Sequence, residues 1–236
     1  MNLESQIQKF YGEIKFPGEY TLEDFKIYDG HLFNQFLVQY EQGITKCKRV
    51  LDIGCGSGMI VNLLAYRNPD IQFDAVDFSD SIDFAQKFST NHNIQNVTFH
   101  KINFFAFQSK FTYDAIICNG VLHHIPDYPT AVTRIDQLLE SNGKLIVGLY
   151  NPYGKLAKKL FSVKYVNQVL FLDQEKVPFE LTFNYKQVKL LFKQYTLETV
   201  YPSVMNKLVD LTNLFNYNNG GLTIYTFSKE GKYYNA

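Results

Sequence analysis

The sequence predicts a doubly wound α/β domain: a mostly parallel, seven-stranded sheet with helices on both faces. Three observations carry that expectation. Short apolar runs alternate with stretches of helical spacing through the middle of the chain, which implies parallel βαβ units. A glycine-rich turn, Val50–Gly58 (VLDIGCGSG), stands where the first apolar run gives way to the first helical stretch. The 236 residues are 46% hydrophobic and 16% aromatic, enough for one domain with a sizeable core and unlike a disordered chain.

Taken in order, residues 1–45 read as a helical, aromatic cap interrupted by Phe16-Pro17-Gly18. Lys48–Ile53 is a first buried strand. Gly58–Tyr66 is a helix with Ile60, Leu63 and Leu64 on one face. Ile71–Asp77 is a second strand, followed by a helix over Ser79–Thr90 with Ile82, Phe84, Ala85 and Phe88 inward. Val97–Asn103 alternates as a third strand, and Tyr113–Asn119 is a fourth, buried one. Tyr128–Leu139 is helical, and Lys144–Tyr150 is a fifth strand behind a Ser-Asn-Gly turn. Residues 152–194 form a helical insertion after strand five, with Pro178 between its patterns. Within it, Gly154–Leu172 places Leu156, Leu160, Val163 and Leu170 on one side and Lys155, Lys158, Lys159 and Lys164 elsewhere. Tyr195–Tyr201 and Leu222–Ser228 close the sheet as a late pair, separated by a helical stretch, Val204–Phe215, and a turn-rich loop, Asn216–Gly221. The crossovers should be right-handed. With no long linker, residues 1–236 read as one domain. Its parts are a helical lid (1–45), a ligand-binding core (46–151), the insertion (152–194) and the last strands (195–236).

Charge and cysteine usage narrow the function classes. Lysine and arginine total 23 against 23 acidic residues, which argues against a nucleic-acid binder. The charge is uneven: residues 1–45 hold three lysines against seven acids, and residues 151–236 hold eleven lysines against six acids. A basic C-terminal part would suit an acidic substrate or carrier domain, though uneven surface charge is common in itself. Cys47, Cys55 and Cys118 form no C-x-x-C pair, so neither a disulfide framework nor a structural zinc site is expected. No signal-peptide pattern and no 18-residue apolar run is present, so the expected setting is cytoplasmic, without a membrane.

The glycine turn decides the ligand class. A dinucleotide fingerprint needs G-x-G-x-x-G, but the glycines here are Gly54, Gly56 and Gly58, and Met stands at 59. A phosphate-gripping G-x-x-x-x-G-K-[ST] loop is also absent. The pattern D-x-G-x-G-x-G, beginning at Asp52, resembles motif I of the class I S-adenosylmethionine-dependent methyltransferases. Further motifs follow in order. Asp77 ends strand two, Asn103 follows strand three, and strand four continues as Asp114-Ala-Ile-Ile-Cys-Asn-Gly-Val-Leu-His123-His124-Ile-Pro126-Asp127. The resemblance covers Arg49 to Tyr150, and more loosely the last two strands. It implies a Rossmann-like fold with S-adenosyl-L-methionine as cofactor.

The resemblance also implies roles. Gly54, Cys55 and Gly56 would lay bare backbone under the ribose and methionine. Asp77 would accept both ribose hydroxyls, with a helix-capping role as its alternative. Asp52 would hold the loop or meet the methionine ammonium through water. Phe78 would pack on the adenine, or in the core. Asn103 stands where the family usually has the Asp that accepts the adenine amino group, with Phe104 stacking beside it. Carbonyls near Asn119 and Gly120 would face the ammonium. Tyr11 and Tyr20 are the candidates for a lid tyrosine near the methionine carboxylate. His123 and His124 are the candidate acid/base pair, or shape the pocket. A metal held by Cys118, His123 and His124 lacks supporting spacing, so none is expected. The activity implied is methyl transfer to oxygen or nitrogen of a small molecule. The rivals are an RNA-modifying methyltransferase and a non-catalytic cofactor-binding module that regulates a partner. The oligomeric state stays open.

Overall fold

The computed structural model describes residues 3–14, 18–30, 35–160, 176–203, 208–215 and 221–230. Its centre is a seven-stranded sheet of order β3-β2-β1-β4-β5-β7-β6. The strands are β1 (Arg49–Ile53), β2 (Gln72–Asp77), β3 (Val97–Lys101), β4 (Tyr113–Asn119), β5 (Leu139–Tyr150), β6 (Tyr195–Tyr201) and β7 (Leu222–Lys229). β1 to β5 pair in parallel, and β7 inserts antiparallel between β5 and β6. The chain order therefore reverses at β1, between β2 and β4. Such a switch point opens a crevice at the carboxyl ends of the strands.

The central strands are buried on both faces, so they read as unbroken apolar runs. Leu51, Ile116, Cys118, Leu145 and Val147 enter one core, and Val50, Ala115, Ile117 and Ile146 enter the other. Strand alternation makes this division. The ten described helices are α1 (Leu3–Glu13), α2 (Leu22–Gly30), α3 (Gln35–Ile44), α4 (Met59–Arg67), α5 (Ser81–Asn91), α6 (Tyr128–Leu138), α7 (Pro152–Leu160), α8 (Tyr185–Leu191), α9 (Val209–Asn213) and a 3-10 turn, Leu122–His124. The start of β1 is fixed by a carboxylate of β4: Asp114 accepts from the backbone N–H of Lys48 and Arg49 at 2.7 and 2.8 Å.

Several expectations change in detail. β5 begins at Leu139, so the Ser-Asn-Gly segment lies within the strand and does not precede it. Its pairing with β4 jumps from Tyr113↔Leu139 to Ala115↔Lys144, and Asn142 takes φ 79° inside the irregularity. The turn residues thus sit as a bulge, which leaves the ladder intact on either side. Among the described residues of the proposed 1–45 lid, only α1 reaches the crevice; α3 packs on the sheet, close enough that a Cβ on Gly43 would stand 2.3 Å from Ile146 Cδ1. The insertion is helical at α7 and α8, but residues 179–183 form an extended strap. Leu181 N donates to the His123 carbonyl at 2.8 Å, and Phe183 N donates to the Tyr150 carbonyl at 2.9 Å. Part of the Gly154–Leu172 helix, with Val163, Lys164 and Leu170, lies outside the described residues, as do 204–207 and 216–220 of the last connection.

The first turn of α7 meets the residue before β7 by direct backbone contact. A Cβ on Gly154 would meet Gly221 Cα at 2.2 Å. Gly154→Ala should therefore cost about 1–3 kcal/mol of stability, because backbone must shift to admit it. A denaturant titration checks this, and an unchanged midpoint would count against so close an approach of α7 to β7.

Candidate active site

The crevice at the switch point forms a half-open cavity of about 410 Å³. Its floor is Ile53, Gly54 and Gly56 from the first loop and Val76 to Ser79 from the second. One wall is Ile102 to Phe105, and another is Asn119 to Val121 with His124 to Asp127. Leu3, Ile7, Gln8 and Tyr11 on α1 cover it. Leu3, Ile7 and Tyr11 are spaced four apart, so one helical face turns toward the cavity.

Local backbone chemistry shapes the floor. Gly54, Gly56 and Gly58 all take positive φ, at 71°, 56° and 77°. Only glycine adopts that conformation without a steric penalty. Gly54 N donates to the Val76 carbonyl at 2.7 Å, which ties the turn to β2. A Cβ at Gly54 would also fall 2.2 Å from Val121 Cγ2, so the loop packs directly under the third wall. Asp77 is the main polar group here. One carboxylate oxygen accepts from Gly56 N and the other from Ser79 N, both at 2.8 Å. Each oxygen retains a further lone pair. Burial raises the Asp77 pKa, against the lowering effect of those donors.

Beneath the loop stands Asp52, 5% exposed. It does not line the cavity, and among the described residues its carboxylate has no hydrogen-bond donor. Burial, and next the negative charge of Asp77, push its pKa up to about 7. A buried carboxylate without a donor is costly when ionised. A cation bound nearby would remove that cost. Asn119 Oδ1 is a second buried acceptor without a donor, on a residue that does line the cavity. A Cβ on Gly120 would stand in open space at φ 75°.

The sequence-derived candidates divide accordingly. Tyr11, Gly54, Gly56, Asp77, Phe78, Asn103, Phe104, Asn119 and His124 line the cavity; Tyr20, Asp52, Cys55 and His123 do not. Tyr20 is a correction. Its hydroxyl accepts from Asn62 Nδ2 at 2.9 Å, and its ring packs among Phe25, Phe84 and Phe88, so it anchors the cap to α4 and α5. The Cys55 side chain packs against the same core. Asn103 lines the cavity, but its carbonyl oxygen accepts from Phe105 N at 2.8 Å, forming a turn of its own. Phe104 is 7% exposed and belongs to the core as well as the wall. Phe78 is half-buried.

The histidines separate. His124 lines the cavity, its ring 5.7 Å from that of Tyr11, and its Nδ1 lies 2.9 Å from the Phe179 carbonyl. His123 is wholly buried behind it, against His124 and Tyr150 at 4.2 and 4.5 Å between ring centres. Burial first, then the charges of His124 and Lys155, hold the His123 pKa well below its usual range. Unlike His124, it does not line the cavity, so His124 is the histidine of the pair that an acceptor would meet. Sequence reasoning missed the α1 face, Ile102 and Phe105. The four-residue apolar spacing on α1 was the available signal for the first; the other two merely flank Asn103.

The arrangement suits a cationic nucleoside of the S-adenosylmethionine kind. Bare loop backbone and Gly120 leave room, Asp77 keeps acceptor capacity, and Asp52 and Asn119 offer buried acceptors for positive charge. Asp77, Asn119 and the loop would hold such a cofactor, with Phe78 and Phe104 as flat apolar surfaces.

Comparison with known proteins agrees. Residues 44–203 match the family model described as a methyltransferase domain. The chain is 27% identical over 140 residues to a malonyl-[acyl-carrier protein] O-methyltransferase of Acetivibrio thermocellus, over 59% of this chain and 48% of that protein. It is 32% identical over 130 residues to a ubiquinone biosynthesis O-methyltransferase of Coxiella burnetii, over 51% of this chain and 52% of that one. The chain thus spans about half the length of these curated relatives. Its fold is similar to that of magnesium protoporphyrin IX methyltransferase from Synechocystis PCC 6803 with bound S-adenosylmethionine. There the TM-score is 0.64 at 13% identity, over 98% of both chains. With two thirds of its length matched, with the sheet order described above and with a glycine loop facing a buried acid, this chain belongs to the class I S-adenosylmethionine-dependent methyltransferases.

Proposed function

We propose that the protein transfers the methyl group of S-adenosyl-L-methionine to an oxygen or nitrogen of a small, largely apolar acceptor. The observation that carries this reading is the cover. α1 closes the cavity with Leu3, Ile7 and Tyr11, opposite Phe105, Val121, Ile125 and Pro126. A half-open, largely apolar cleft of this size, part of which the cofactor would fill, suits a small organic acceptor. It does not suit a nucleic acid, which needs a basic, aromatic-lined surface. The cofactor supplies an activated methyl on sulfur. The chain supplies alignment, which in well-oriented systems accounts for roughly 7–11 kcal/mol of a barrier. Water exclusion by α1 supports the same end. His124 is the imidazole on the wall, beside Tyr11. Relatives named for malonyl-[acyl-carrier protein] support a carrier-borne acceptor as a second form of substrate, and exposed Lys159 on α7 suits an acidic carrier, whereas Lys158 is buried and Lys155 is paired with Glu180. The test is transfer of labelled methyl to metabolite extracts, with and without acyl-carrier protein. Labelling of RNA alone would sink the small-molecule reading. Tight cofactor binding with no labelled product would favour the regulatory module.

Asp52 gives this reading a proton signature. Its folded pKa of about 7 lies above the ordinary value of about 3.9, so the folded chain binds the extra proton between those values. Its contribution to the stability of the unliganded chain is therefore present below pH 4 and lost as pH rises through 7. A cationic cofactor favours the ionised carboxylate, so binding below pH 7 should release a proton. Affinity should rise from pH 5.5 to 7.5 and then level off. Calorimetry in buffers of different ionisation enthalpy measures the release; a pH-independent affinity would disconnect Asp52 from the cofactor.

A further inference from the structure

We infer that His123, His124 and Glu180 form a binding site for one divalent transition-metal ion of the zinc type, directly behind the cavity wall. One ligand atom from each of the three lies within 4.8 Å of the other two. Two imidazoles and a carboxylate are a donor set that borderline divalent cations accept, with a fourth position left for water or substrate. Hard cations prefer an all-oxygen set and fit this one poorly.

An independent observation points to a ligand. His123 is 0% exposed, and among the described residues neither Nδ1 nor Nε2 has a hydrogen-bond partner. Buried polar groups in folded proteins are nearly always satisfied, and an exception asks for an explanation such as a bound ion. A lone pair directed at a metal would answer for one of those nitrogens.

The strap supplies the rest of the arrangement with three consecutive residues. The Phe179 carbonyl lies 2.9 Å from His124 Nδ1. A carbonyl there holds the proton on Nδ1 and directs the Nε2 lone pair to a metal, as carbonyls do around metal-binding histidines. Glu180 brings the carboxylate. Leu181 N then donates to the His123 carbonyl at 2.8 Å, fixing the strap against the histidine pair. Among the described residues, Lys155 also bears a charge at the cluster: its Nζ lies 2.6 Å from Glu180 Oε1 and 4.3 Å from the centre of the Tyr150 ring. The carboxylate has two oxygens, so Oε1 can hold the lysine while Oε2 ligates. This changes the reading of His124: its Nε2 lone pair serves the ion and not a proton. Because His124 also lines the cavity, the fourth position is where an acceptor oxygen or nitrogen would bind. That last point rests on the proposed function; the metal site does not.

The experiment uses the full chain, stripped with chelator and dialysed against zinc chloride, with metal content and calorimetric affinity measured. One zinc per chain is expected, with tetrahedral absorption bands after cobalt replacement. His123→Asn and Glu180→Gln should each weaken zinc binding by at least about tenfold, in line with the sensitivity of metal sites to their shells. Thermal unfolding of the metal-free variants shows whether they fold; Glu180→Gln preserves shape and serves if His123→Asn does not. No zinc above background, or zinc retained undiminished in Glu180→Gln, overturns the site. S-adenosylhomocysteine affinity is measured on the same samples. Its absence in the wild-type chain would defeat the methyltransferase reading and leave the metal result standing.

Discussion

Alanine at Gly54 is expected to destabilise the chain by about 2–5 kcal/mol and to abolish cofactor binding, from two costs that act together. The first is conformational: φ of 71° is the left-handed region, where a Cβ costs roughly 1–2 kcal/mol. The second is steric, because the new Cβ would stand 2.2 Å from Val121 Cγ2. Val121 cannot simply yield, since it opens the turn that carries His123 and His124. Denaturant unfolding and S-adenosylhomocysteine calorimetry measure both effects. Val121→Ala added to Gly54→Ala should recover the steric share and leave the conformational one. If the single variant unfolded at the wild-type midpoint, the tight loop described here would be wrong.

Asp77→Ala should weaken cofactor binding by about 10- to 100-fold, corresponding to the roughly 1–3 kcal/mol cost of an unmet buried hydrogen-bonding group. The carboxylate has two duties. It accepts from Gly56 N and Ser79 N, so it sets the height of the glycine loop above β2. It also lines the cavity, where a carboxylate oxygen can accept from a diol. Asp77→Asn separates the two, because an amide oxygen can still accept one of the backbone bonds while the NH₂ cannot accept the other. Affinity should fall less in Asn than in Ala, and stability less still. Equal affinity in wild type and Asp77→Ala would remove Asp77 from the cofactor site. It would leave only the capping alternative.

These two residues were legible in the sequence for a simple reason. Each stands at the end of a buried strand, and the neighbouring turn residues state the backbone conformation outright. The tyrosines were not separable in the same way. Tyr11 and Tyr20 are both aromatic residues of the same cap, and nothing local distinguishes a ring over the cavity from one wedged between α4 and α5. The adjacent histidines posed the same problem. His124 reaches the wall while His123 is turned into the core, because a 3-10 turn sends successive side chains in different directions. Asn103 occupies the expected place after β3 and lines the cavity, and its carbonyl oxygen also accepts from Phe105 N.

The sequence by itself determined the α/β class, the five parallel strands, the late antiparallel pair and the glycine turn. Periodicity and backbone preference are local properties, and a strand or a left-handed turn is written in a few adjacent residues. Only the tertiary structure decided that, among the described residues of the cap, α1 is the part that covers the crevice. It also placed Asp52 beneath the loop with no donor among the described residues, and brought Glu180 to His123 and His124 from more than fifty positions away. Those outcomes depend on where covering segments dock, and docking is set by packing against side chains that no local pattern specifies.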